Sequence, residues 1–152
     1  MKIKELHKMK LVGLRIVCHG DQYAVEIPKA AIRLKERLHE IKQALDPIRL
    51  VGAFYPGDFT EEEDGYWVCV EVKDDSHIPD GMVCVSVPSQ KYAVIRHEGP
   101  NTGIQQTYEY LHKRIAEQGL KRIPRAWHLE IAEEWGRPDI AEVKVDLYDT
   151  IE

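Results

Sequence analysis

The chain has 152 residues, enough for one domain or two tightly fused halves whose core needs no disulfides. Its formal net charge of −5 argues against a broadly basic surface, so direct nucleic-acid binding is not expected. The three cysteines form no CxxC pair, and no apolar run is long enough for a signal peptide or a membrane span, which predicts a reduced, cytoplasmic protein without a membrane partner.

The first half of the chain is predicted to run strand, helix, strand, strand. A Val-, Ile- and Leu-rich run that stops at Gly20 predicts a strand over residues 10–20. Over residues 27–45 the apolar side chains recur at intervals of three and four, which predicts one amphipathic helix, ended by Asp46-Pro47. Two further strands are predicted at 49–55 and 65–73.

A second unit with the same order follows a linker at residues 74–81. Residues 82–100 read as strand, bent or split at Pro88, and Asn101 is placed to cap a helix over residues 101–119. Two closing strands are predicted at 125–135 and 141–149. The matched order predicts a single domain over residues 1–152 that repeats one unit, with internal halves at about 10–73 and 82–149.

We expect an α+β fold, with a duplicated strand-helix-strand-strand unit, a mostly antiparallel sheet, two helices on one face and a ligand groove on the other. Strand side chains alternate between the two faces. This alternation predicts that Tyr66, Leu129 and Ile131 meet the helices. The helix-free face is then predicted to carry Trp67, Glu71, His128, Glu130, Asp146 and Tyr148.

Aromatic side chains beside carboxylates suit a flat or amphipathic organic cation. An aromatic ring attracts a desolvated cation by about 1–2 kcal/mol, and a shielded carboxylate adds charge pairing. An ordinary solvated strand face would explain Glu130 and Glu71 equally well, without any ligand. The seven histidines lack HxxxH or HExxH spacing, so neither a metal site nor a cofactor is expected.

Several motifs, taken in order, resemble one known family. Residues 87–111 combine a proline, a tyrosine-led strand, an H-x-G motif and a helical Thr-Tyr pair, at Pro88, Tyr92, His97, Gly99, Thr107 and Tyr108. The segment WHLEIA carries a central glutamate, VDLYD an aromatic residue, and GYWVCVEV a tyrosine and a glutamate, at Glu130, Tyr148, Tyr66 and Glu71. Together they resemble the GyrI-like, or gyrase-inhibitor-like, effector-binding domains, which also serve AraC-type and MerR-type multidrug-responsive regulators.

The resemblance implies that Glu130 lies in a groove between the two halves and pairs with cationic, lipophilic ligands framed by aromatic side chains. Two positions depart from the family pattern: Cys69 stands where glycine is usual, and Ala132 where tyrosine is frequent. Alternation and resemblance together predict these ligand-binding residues: Glu130, Trp67, Tyr148, Glu71, Tyr66, His128 and Tyr92.

Three functions follow from these expectations. The first is a small-molecule binding protein for amphipathic organic ligands, which we expect to be cationic. We expect this protein to stand alone because only about ten residues precede the first predicted strand. The second, also implied by the resemblance, is a hydrolase of strained cyclopropane-bearing electrophiles that uses Glu130 in the same groove. The third is a gyrase-inhibitor-like interaction with a protein partner.

Overall fold

The computed structural model of the protein describes residues 1–55, 65–138 and 142–152. These residues form an α+β fold with eight strands and two helices. The strands are β1 Lys2–Leu6, β2 Met9–Ile16, β3 Leu50–Phe54, β4 Tyr66–Val72, β5 Val83–Val87, β6 Gln90–Gly99, β7 His128–Ala132 and β8 Val143–Ile151. The helices are α1 Tyr23–Glu36 and α2 Ile104–Glu117.

The strands form one antiparallel sheet in the order β1-β6-β8-β7-β3-β4-β2-β5. Each half of the chain supplies two strands, a helix and two more strands. If each strand is replaced by its counterpart from the other half, the strand order of the sheet reads the same in the opposite direction. The corresponding strands β3 and β7 meet at the centre, where Gly52 is the register partner of Glu130. Glu130 therefore lies beside the internal two-fold axis of a duplicated fold.

The sheet curls so that its ends approach each other. β1 and β2 lie near opposite ends of the sheet, yet only His7 and Lys8 separate them in the chain. The link between β5 and β6, Pro88 and Ser89, is equally short, and two residues reach far less than the width of a flat sheet with strands about 4.8 Å apart. The Lys8 backbone N–H donates to Ser89 Oγ at 3.0 Å and joins the two links.

This curling buries the face of the sheet that carries no helices. Its side chains form one cluster with members from every strand, in which Leu11, Cys69 and Leu129 have no exposed surface. The structure therefore corrects the expectation of a ligand groove on the helix-free face. That face is filled by apolar side chains because the sheet folds over it.

The helices cover the outer strands and leave the central ones open. α1 packs on β2 and β4 through Ala30, Ala31 and Leu34, and α2 packs on β6 through Leu111 and Ile115. Neither helix crosses β3 and β7, so the gap between the helices has the centre of the sheet as its floor. In the described residues, no helix is long and apolar enough to cross a lipid bilayer.

Most predicted elements are confirmed, and two differ. The split of the strand material at Pro88 is confirmed by β5 and β6, whereas β1 was not predicted. The first helix ends at Glu36 rather than near Leu45, because the following chain returns to the sheet beside the end of β4. There Ala44 forms a β-bridge with Val72, which a continued helix would prevent.

Candidate ligand-binding site

A cavity of about 880 Å³ occupies the gap between α1 and α2. Its floor is formed by β3 and β7 and its sides by the two helices, and most of its lining is apolar or aromatic. The aromatic and ionisable residues of the lining include Tyr23, Phe54, Tyr66, Tyr108, His128 and Glu130. The sequence and fold thus bring both halves of the chain to one pocket.

Glu130 presents its carboxylate to this cavity from the middle of β7. Tyr66 donates its hydroxyl to Oε1 at 2.5 Å, and Tyr108 donates its hydroxyl to Oε2 at 2.9 Å. Tyr66 comes from the first half of the chain and Tyr108 from α2 of the second. Within the described part of the chain, no Lys or Arg side chain forms an ion pair with Glu130.

Gly52 makes room for the Tyr66 hydroxyl. A Cβ atom built on Gly52 would lie 1.8 Å from that oxygen, far inside van der Waals contact. Because Gly52 is also the register partner of Glu130, the missing side chain lets a tyrosine from β4 reach across β3 to the carboxylate. A glycine inside a strand often marks such a close approach.

Aromatic rings surround the carboxylate. Phe54 stacks on Tyr66 with ring centroids 5.8 Å apart and on His128 with centroids 4.8 Å apart. Tyr108 meets Phe54 edge-on at 6.2 Å, and Tyr23 lies 6.3 Å from Tyr66. The ring faces that remain open to the cavity offer quadrupole attraction to a cation.

The protonation states follow from burial. Burial raises the pKa of Glu130, while the hydrogen bonds from Tyr66 and Tyr108 and the nearby imidazoles of His128 and His97 act to lower it. Burial and the adjacent carboxylate raise the pKa values of Tyr66 and Tyr108 well above that of free tyrosine, so both phenols stay protonated. The site is therefore a carboxyl group held by two neutral donors, and burial disfavours its ionised form.

A second polar cluster lies beside the first, around Asp149. This fully buried carboxylate accepts a 2.6 Å hydrogen bond from Arg122 Nε, and the Nε2 atoms of His112 and His128 lie 2.9 and 3.0 Å from its oxygens. Burial alone would raise the pKa of Asp149, but His128 and Arg122 lower it below its ordinary value. Burial, followed by the charge of Arg122, lowers the pKa of His112.

The same cluster includes three potential metal ligands. The donor atoms of His112, His128 and Asp149 lie within 4.8 Å of one another. Arg122 already neutralises the carboxylate, so a divalent ion there would lie close to a fixed positive charge. We therefore describe the cluster as a charge network, and the absence of a metal site remains a prediction.

Three of the seven predicted ligand-binding residues line the cavity: Glu130, Tyr66 and His128. Trp67, Tyr92 and Tyr148 belong instead to the buried cluster on the opposite face of the sheet, where Tyr92 and Tyr148 meet edge-on at 5.6 Å. Glu71 shares that face, two residues along β4 from Cys69. The structure does not bring these four residues to the cavity, and their role in binding remains a prediction.

The two faces of β7 are the reverse of those predicted from alternation. Leu129 and Ile131 lie in the helix-free cluster, while His128, Glu130 and Ala132 face the cavity between the helices. Both sets are largely buried, so hydrophobicity alone could not show which set meets the helices. Glu130 lines the cavity between the helices, on the opposite side of the sheet from the predicted groove, and its role in binding remains a prediction.

Sequence reasoning missed several residues that shape the site: Gly52, Phe54, Tyr23, Arg122, His112 and Asp149. Two sequence features mark this part of the site. Tyr108, a neighbour of Glu130, stands in the Thr-Tyr motif, and Gly52 interrupts an otherwise apolar strand. The motif histidine has a positioning role, because His97 Nδ1 lies 2.7 Å from Thr107 Oγ1 and its Nε2 lies 2.9 Å from the Pro100 carbonyl oxygen. These contacts fix the start of α2, and with it Tyr108.

Solved structures with the same fold include SAV2435 and the C-terminal domain of EcmrR. SAV2435, solved bound to tetraphenylphosphonium, is similar with a TM-score of 0.72 and 16% identity, over 99% of this chain and 93% of that one. The C-terminal domain of EcmrR has a TM-score of 0.70 and 18% identity, over 99% of this chain and 96% of that one. At these identities the likeness establishes the shared fold.

Sequence comparison identifies the family. The transcriptional regulator BrlR of Pseudomonas aeruginosa is 36% identical over 93 residues, which are 59% of this chain and only 33% of the regulator. The family described as the GyrI-like small molecule binding domain matches residues 1–148, nearly the whole chain. The chain therefore belongs to the GyrI-like small-molecule binding domains.

Proposed function

We propose that this domain binds lipophilic organic cations in the cavity between α1 and α2, with Glu130 as the counter-ion. Phe54, Tyr66 and Tyr108 then provide the aromatic frame. The observation that carries the proposal is the Glu130 carboxylate, which is enclosed by aromatic rings and held by two phenol hydroxyls without a Lys or Arg partner among the described residues.

A cationic ligand would compensate for the cost of removing the Glu130 carboxylate from water. A carboxylate that is taken out of water without a cation costs free energy, and burial accordingly raises the pKa of Glu130. A cationic ligand would restore the missing charge in a site of low dielectric, where pairing is stronger than in water. Its apolar substituents would fill a cavity lined largely by apolar and aromatic groups.

The structural relatives support the ligand class. SAV2435 binds tetraphenylphosphonium, a rigid lipophilic cation that offers no hydrogen-bond donor, and it shares this fold over nearly the whole chain. A cation of this kind can be recognised only through charge, ring contacts and shape. These are the interactions that the Glu130 cavity provides.

Isothermal titration calorimetry with tetraphenylphosphonium tests the proposal. Glu130→Gln keeps the size of the side chain but removes its charge and replaces one acceptor oxygen with an NH2 donor. We expect the variant to lose about 2 kcal/mol of binding free energy, roughly a 30-fold weaker Kd. Glu71→Gln is the matched control, because it removes a carboxylate from the opposite face of the sheet.

Equal binding by wild type and Glu130→Gln would contradict the proposal. A loss in Glu71→Gln as large as that in Glu130→Gln would instead favour the predicted helix-free groove. If tetraphenylphosphonium does not bind at all, the hydrolase and protein-partner hypotheses remain, and product formation from a strained cyclopropane electrophile becomes the next assay.

A further inference from the structure

We propose that the cavity contains a second subsite, which binds anionic groups at Arg122, and that its preferred ligands are amphipathic zwitterions. Such a ligand is a lipophilic cation that also carries an acidic group. This inference rests on the proposed function, because it assumes that the cationic end lies at Glu130. It adds the chemical class of the other end of the ligand.

The first observation is the way in which Arg122 is held. Its Nε donates to the buried Asp149 at 2.6 Å, and its side chain is 39% exposed and lines the cavity. A guanidinium has five N–H donors in a planar fork, and this hydrogen bond uses only one. Among the described residues, no protein acceptor takes a hydrogen bond from its two Nη atoms. An anchored guanidinium with unused paired donors is suited to carboxylate and phosphate groups.

The second observation is the surplus of donors around Asp149. His112, His128 and Arg122 all converge on this single carboxylate, each within 3.0 Å. The buried His112 Nε2 and Asp149 Oδ1 nevertheless lack a well-aligned hydrogen bond. Two of the three donors, Arg122 Nε and His112 Nε2, approach the same oxygen, Asp149 Oδ2. An acidic ligand group beside Arg122 would give the cluster a second acceptor.

The third observation is the arrangement of the two charged regions. Tyr108 stands between them, since its hydroxyl donates to Glu130 while its ring centroid lies 6.1 Å from that of His112 and 5.6 Å from that of His128. The Glu130 and Arg122 ends of the cavity are thus on either side of one tyrosine. A simple cation gains only its pairing with Glu130, whereas a zwitterion with matching spacing also gains hydrogen bonds from the unused Nη donors of Arg122.

Triphenylphosphonium cations with carboxypropyl, carboxybutyl and carboxypentyl chains test the inference by titration calorimetry. The methyl ester of each compound has the same cation and shape without the anion, and serves as its reference. In wild type we expect at least one acid to bind about tenfold more tightly than its ester. In the double variant Arg122→Gln/Asp149→Asn, which removes the guanidinium and its buried partner together, the acid-to-ester affinity ratio should fall to about one.

The single variant Arg122→Lys provides a second test if the double variant does not fold. It keeps a positive charge beside Asp149 but loses the planar fork, so the acid-to-ester affinity ratio should fall. An acid that binds no better than its ester at any chain length overturns the inference and leaves the proposed cation site intact. A preference for the acid that survives in these variants also overturns it, since the anion must then bind elsewhere. If neither compound binds, the inference and the proposed function fail together.

Discussion

The hydrogen bonds and the burial of Glu130 have opposite effects on its ionised form. Its hydrogen bonds from Tyr66 and Tyr108 orient the carboxylate, but its burial raises the pKa and disfavours the charge that a cationic ligand needs. Ionised Glu130 therefore lowers the stability of the ligand-free protein. A site that keeps a carboxylate away from water gains affinity for cations at the expense of stability.

This opposition predicts how Glu130→Gln changes stability. A raised pKa means that Glu130 contributes most to folding below the ordinary glutamate range, near pH 4, and that this contribution is lost as the pH rises through the raised value. Without ligand, Glu130→Gln should thus be more stable than wild type near neutral pH, and the difference should shrink as the pH falls. Urea unfolding of both proteins between about pH 5 and pH 8 measures this.

The control for this prediction is Asp149→Asn. The pKa of Asp149 is lowered, so its contribution to folding is present above the ordinary aspartate pKa and lost as the pH falls through the lower value. Asp149→Asn should destabilise at neutral pH, by about 3 kcal/mol, because it leaves Arg122 without its counter-charge and removes an acceptor oxygen from the cluster. Equal destabilisation by both variants at neutral pH would contradict our account of Glu130.

At the scale of the elements, sequence patterns locate strands better than they locate faces. The faces predicted for β4 are correct, since Tyr66 and Val68 lie on the helix side. The faces predicted for β7 are the reverse of those in the structure. The reason is physical: β7 is buried on both sides, because one side meets the cavity and the other the interior of the curled sheet. The apolar side of such a strand does not identify the helix layer. The curl itself depends on pairings between β1 and β6 and between β5 and β2, which no local pattern encodes.

Gly52 shapes the site through the side chain that it lacks. Gly52→Ala would place a methyl group 1.8 Å from the Tyr66 hydroxyl and displace it from Glu130. We expect a loss of about 1–3 kcal/mol in stability from this overpacking, together with weaker tetraphenylphosphonium binding. Chemical denaturation and titration calorimetry measure the two effects.

Gly20→Ala is the matched control, since a Cβ atom at Gly20 would meet nothing within 4 Å. It should leave both stability and affinity close to those of wild type. The explanation also requires that Tyr66→Phe, which removes only the hydroxyl, weaken binding. If Gly52→Ala binds tetraphenylphosphonium as wild type does, the reach of Tyr66 across β3 is not needed for the site.

At the scale of the whole molecule, each half contributes one strand that pairs with a strand of the other half. β1 of the first half pairs with β6 of the second, and β5 of the second half pairs with β2 of the first. The site is shared in the same way, with Tyr66 from one half and Tyr108 and Glu130 from the other. Neither half contains a complete sheet or a complete site, which favours one cooperative domain over residues 1–152.

This architecture predicts that the two halves stay associated after the chain is cleaved in the linker between them. Cleavage at a protease site inserted in the exposed linker, between Ser76 and His77, should leave two fragments that stay together and still bind tetraphenylphosphonium, because strand exchange and the shared core hold them. Each half produced alone should remain unfolded, since it lacks its partner strand and leaves one face of its sheet uncovered. Size-exclusion chromatography and circular dichroism report association and folding, and ligand binding on mixing the halves reports reassembly of the site. A half that folds alone, or a cut protein whose fragments separate in native buffer, would show instead that two independent units meet only at β3 and β7.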